Sequence, residues 1–119
     1  MRSLILTLLL SLVACGASAR ESTIRTTLIA TNAARDGFVA YDAHRQTAIV
    51  DAATSLDQGK GALTEYRVKR QPVVEGLSAT YRAIAIAAVL EDDPRTLASM
   101  LTLAAQVKTL IDTFTGGTP

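Results

Sequence analysis

Few side chains in this chain have chemistry to offer, and those few fall where apolar residues are expected. Asp42, Gln46, Tyr66 and Arg70 lie on helical faces that otherwise read as buried. An isolated charge there is costly, so such groups must pair with one another. If two helices fold back about Thr54, facing residues have numbers summing to about 108 in a tight antiparallel hairpin. That sets Asp42 opposite Tyr66 and one turn from Arg70, with Gln46 nearby. The expected cluster fixes the register of the hairpin, as a polar residue does in a coiled coil. Charged ends that reach water, or a ligand or proton-relay site, are the competing readings.

Other constellations are missing. His44 is the only histidine and falls on the outer face of its helix, and Cys15 is the only cysteine. There is no Glu-x-x-His pair for a di-iron bundle and no carboxylate grouping that completes a zinc site. Gly59-Lys60-Gly61 lacks the length of a phosphate-binding loop. No serine has an evident base to activate it. Arg67, Lys69 and Arg70, with Glu65 beside them, read as a solvated face. No metal, no cofactor and no catalytic residue is expected, and the chain reads as a non-enzyme.

The elements that position these residues are helices. Proline and glycine are confined to a few places, and the intervals between them carry three-four periodicity without sustained alternation. Helix 1 is expected from about Ser22 to Ala53, with an inner stripe of Ile24, Leu28, Phe38, Val39, Ile49, Val50 and Ala53 that also takes in Arg35. Helix 2 starts at the capping box Ser55-Leu56-Asp57-Gln58. Its seam runs Leu56, Gly59, Leu63, Tyr66, Arg70, Val73, Leu77, Thr80, Ile84, Ala87, and Pro72 is expected to kink it near residues 68–71. Asp93 caps helix 3, Pro94 opens it, and Gly116-Gly117 ends it. Short turns make consecutive helices antiparallel, so the fold is all-α: an elongated helical hairpin with a third helix laid along it as a three-helix bundle. Residues 22–115 form the domain and 116–119 a tail.

The first residues, MRSLILTLLLSLVAC, carry one positive charge and then an apolar run from Leu4 to Val13. That run is a signal-peptide core, too short to span a membrane. Leu12-Val13-Ala14-Cys15 resembles a bacterial lipobox at every position. The resemblance implies removal of residues 1–14, lipid attachment (a diacylglyceryl group, then N-acylation) at Cys15, and a short tether over residues 15–21. Gly16 after the cysteine implies delivery to the outer membrane, facing the periplasm. A second export reading is cleavage after the A-x-A site Ala17-Ser18-Ala19, which would release a soluble chain beginning at Arg20. Either way the exported chain has no cysteine pair for a disulfide.

Of the 12 basic residues only Arg2 precedes Cys15, leaving a balance against 11 acidic ones. Neutrality argues against nucleic acid or anionic lipid headgroups as the main partner. With no tryptophan and abundant alanine and threonine, close helix packing with little room for a pocket is expected. The C-terminal half is apolar over more than one face, and Leu103, Leu110, Ile111 and Phe114 are expected to offer helix 3 to a partner or a second copy. The functional expectation is a lipid-anchored, non-enzymatic structural or adaptor protein of the cell envelope. The alternatives are a small-ligand or lipid-binding helical module, and a phage or plasmid envelope lipoprotein for lysis or exclusion.

Overall fold

In the computed structural model, which describes residues 16–90 and 93–116, the chain forms three helices and, among those residues, no strand. They are α1 (Gly16–Ala52), α2 (Leu56–Val89) and α3 (Pro94–Phe114). The molecule is elongated, with principal extents of 73 × 30 × 15 Å. The hairpin of α1 and α2 carries α3 along one end, and α3 packs most extensively on α2 and least on α1. The lipobox lies outside the described residues.

The helix boundaries follow local chemistry. Ser55 Oγ accepts from the Gln58 backbone N–H at 3.1 Å, as a cap should. The Gln58 side chain reaches back one residue further than a standard capping box and accepts from the Thr54 N–H at 2.7 Å. Asp93 accepts from the Arg95 N–H, Pro94 fills the first helical turn, and Gly116 ends α3 at φ 68°, a left-handed conformation that favours glycine. At Pro72, α2 continues without interruption and the ring lies on the exposed side. The expected kink is not marked by any break in the helix.

Two apolar clusters hold the helices together. Phe38, Val73, Leu77, Val107 and Ile111 form the first, with Phe114 against it. Ala83, Ile84, Ala87 and Met100 form the second, near the α2–α3 turn. Thr80 sits fully buried between them, and its hydroxyl is satisfied by the Gly76 carbonyl at 2.7 Å. Gly76 lets α3 come close, because a β-carbon there would meet Val107 Cγ2 at 3.2 Å and Leu110 Cδ1 at 3.3 Å. By length and composition α2 is apolar enough to cross a membrane. A third of its apolar stretch is buried by the packing against α1 and α3, and Val68, Ile86 and Val89 stay exposed.

Three expectations need correction. Helix α1 begins at Gly16, so residues 16–21 are helical and not an extended tether. The inner face of α1 is only partly the expected stripe: Phe38 is buried as expected, but Leu28, Val39 and Val50 are exposed, while Thr27 and Thr31, outside that stripe, are buried. Threonine can face inward because each buried hydroxyl donates to the carbonyl one turn back, Thr27 to Thr23 and Thr31 to Thr27. Finally, Ile111 and Phe114 belong to the interior and are not a free face of α3. Phe114 stacks at 5.6–5.8 Å on the rings of Phe38, Tyr41 and Tyr66, and Leu103 is half-buried against the second cluster. Of the four residues, Leu110 alone stays substantially open.

Candidate functional site

The residues singled out in the hairpin do meet. Asp42, on the inward side of α1, accepts from the Tyr66 hydroxyl through Oδ1 at 2.9 Å. Its Oδ2 accepts from Arg70 Nη1 at 2.7 Å and from Gln46 Nε2 at 3.0 Å. The pair is largely shielded: the Asp42 side chain is 15% exposed and that of Arg70 29%. Both carboxylate oxygens are therefore committed to the protein's own donors. Burial first, and then the hydrogen bond to Asp42, raise the Tyr66 pKa well above the usual tyrosine value. The phenol stays neutral and donates. Arg70 Nε is buried without a partner, a cost the pair carries.

This arrangement can hold helices in register, and it leaves little to do chemistry with. A general base needs a free lone pair near a substrate, and a nucleophile needs a neighbouring base. Here the carboxylate is occupied on both oxygens, and the nearest hydroxyl is held neutral by burial. Arg35 stands apart from the cluster: it pairs with Asp36 at 3.2 Å and lies 5.7 Å from the centre of the Tyr81 ring. His44 is exposed. Among the described residues, no three histidine, cysteine or acidic side chains are grouped as a metal site would require.

Two further features escaped the sequence reading. The first is a clamp made by Arg20. Its Nη2 donates toward the Leu90 carbonyl at 2.9 Å, the Ala87 and Asp93 carbonyls at 3.3 Å each, and Thr96 Oγ1 at 2.9 Å. A guanidinium here satisfies carbonyls left over at the end of α2 and meets the negative end of that helix. The antiparallel numbering rule would have found it, since it pairs residue 20 with residue 88. The assumption of a tether over 15–21 hid the contact. Midway along α1, Asn32 accepts from the Tyr81 hydroxyl in the same way.

The second feature is an open groove of about 670 Å³ between α1 and α3. Ala30, Ala33, Ala34 and Gly37 line it from α1, and Ala104 and Val107 from α3, with Lys108 and Asp112 also on its wall. Alanine-rich faces were expected to close up. They do not here, because Phe38 and the ring of Phe114 hold α1 and α3 apart while the small residues beside them cannot fill the gap. No known protein family, curated protein or solved structure matches this chain. Its functional reading rests on this geometry and on the sequence.

Proposed function

We propose that this chain is a lipid-anchored helical protein of the cell envelope, held by acyl groups on Cys15 and acting as a non-enzymatic structural or adaptor element. Outer-membrane attachment facing the periplasm is the version that Gly16 favours. One observation carries the reading: residues 16–20 are helical and Arg20 clamps this part of α1 to the bundle. An anchor at Cys15 would thus be joined to the bundle by helix and not by a loose chain. At ~1.5 Å per residue, α1 would carry the hairpin tip at residues 53–55 roughly 55 Å from the anchor. The committed oxygens of Asp42 support a structural role for the polar cluster.

The test is the intact mass of protein extracted from native membranes, beside a Cys15→Ser copy. A chain of residues 15–119 carrying acyl groups, lost in the variant, is the expected result. A bare chain beginning at Arg20, the same in both, would refute the anchor. A second reading, a binding module for a small apolar molecule or a lipid, is favoured by the groove between α1 and α3. Its shape and mostly alanine lining suit an aliphatic chain better than a polar metabolite. Native mass spectrometry of purified protein would reveal a retained ligand, and Gly37→Leu, which fills the groove, should release it.

A further inference from the structure

The Arg20 clamp decides which end of the bundle lies beside the anchor. It brings the α2–α3 corner against the first turns of α1, five residues from Cys15. Five helical residues rise only about 7.5 Å. On the anchor reading, this end is where the chain meets the membrane, whether residues 1–14 with their apolar run Leu4 to Val13 are kept or replaced by lipid on Cys15.

That same corner exposes large aliphatic side chains. Val89 is 79% exposed, Leu90 51% and Ile86 44%. All three lie in the last turn of α2 or just past it. Arg82 and Arg95 line a shallow depression with Ile86 on the flank of the corner, and Arg95, though open to solvent, is paired with Asp93 at 3.2 Å. Exposed aliphatic tips beside the anchored end suit the boundary between headgroups and acyl chains. The aliphatics leave water there.

We infer that the α2–α3 corner is a second membrane contact, in which Val89 and Leu90, supported by Ile86, enter the surface of the bilayer that holds the lipid on Cys15. Arg82 lies on the rim of that contact. The inference rests on the anchor reading and gives it an orientation. A lipid-bearing cysteine alone is a swivel, whereas an anchor plus a seated corner fixes the long axis and points the hairpin tip away from the membrane. Two weak contacts on one rigid body also reinforce each other through effective concentration.

The acylated protein offers a clean probe, because its only cysteine is consumed by the lipid. Val89→Cys and, as a control at the far tip, Leu56→Cys would each carry one environment-sensitive fluorophore. Leu56 is 73% exposed, comparable with Val89. Both proteins would be reconstituted into vesicles of phosphatidylethanolamine and phosphatidylglycerol. The expected result is flotation of both, with the label at 89 blue-shifted and quenched several-fold more strongly by shallow spin-labelled lipid than the label at 56. Flotation with equal, water-like labels overturns the corner contact and leaves the anchor standing. Failure to float, with an unmodified Cys15 by mass, overturns the anchor and this inference with it. A label at 89 shielded equally without vesicles, in a particle of twice the chain mass, assigns the corner to a second copy and refutes the inference.

Discussion

Replacing Asp42 by alanine is the sharpest test of what holds α1 to α2. The substitution removes the acceptor for three donors at once. Tyr66 is 7% exposed, so its hydroxyl is left in a site that water scarcely reaches. An unsatisfied buried donor costs about 1–3 kcal/mol. Arg70 loses its counter-charge, but at 29% exposure part of that loss is returned by water. The sum is about 2–4 kcal/mol, below the full cost of breaking a fully buried ion pair. For a helical domain of this size that lowers the melting temperature by about 10–25 °C. Arg70→Ala should cost less, about 1–2 kcal/mol, because Asp42 keeps its bonds to Tyr66 and Gln46. The double variant should then lose less than the two single losses added together. Urea unfolding followed by far-ultraviolet circular dichroism measures all three. Asp51→Ala, at an exposed position on the same helix, supplies the baseline. If Asp42→Ala falls within about 0.5 kcal/mol of that baseline, where surface substitutions lie, the cluster does not hold the hairpin.

Alkaline pH gives a second test through Tyr66. Its folded-state pKa is raised above the ordinary value of 10.0, so its contribution is fully present below about pH 10 and is lost as pH rises toward the folded value. Unfolding at a series of alkaline pH values should show this decline, and Tyr66→Phe should flatten it. The glycines of α2 should respond in opposite directions: Gly61→Ala, with nothing within 4 Å of the new β-carbon, should gain about 0.5–1 kcal/mol in helix preference. Gly76→Leu would drive a side chain into buried Val107 and should lose at least 1–3 kcal/mol by overpacking. Arg20→Ala should speed amide exchange in the last turn of α2 and the first of α3 while leaving exchange around Asp42 unchanged, which peptide-level hydrogen exchange can resolve.

How far the fold was legible depended on which helix was being read. The seam of α2 runs Tyr66, Val73, Leu77, Thr80, Ile84, Ala87 as its spacing implies, because a helix packed on two sides must carry apolar residues at each inward position. The caps at Ser55 and Asp93 were legible because capping is local chemistry. The partners of Asp42 were legible because a short turn and antiparallel packing bring residue 42 opposite residues 66–70. Helix α1 misled: its large aliphatics point partly to solvent, and its inward threonines look polar until their hydroxyls are matched to their own helix. The face assigned to a partner on α3 misled in the opposite direction. Periodicity finds an apolar arc, but it cannot say that the Phe114 ring is already used by Phe38, Tyr41 and Tyr66.

The three polar contacts along α1 make one physical argument when taken together. Arg20 grips the end of α2, Asn32 meets Tyr81, and Asp42 meets Tyr66 and Arg70. They are spaced by roughly 18 and 15 Å along α1 at ~1.5 Å per residue. Between them α1 turns Thr27, Thr31 and Ala34 inward, and apart from Ile24 and Phe38 that face would pack nearly as well after sliding one turn, about 5.4 Å, along its neighbour. Apolar burial alone would therefore specify the register of this helix weakly. Each polar contact is lost by that slide, and each loss strands a buried or half-buried group. Their combined effect is on the gap between the native register and its neighbours more than on total stability, as a polar core residue acts in a coiled coil. The lipid proposed on Cys15 would give such a gap a use, since a pull along the axis of α1 is the perturbation that would drive the slide.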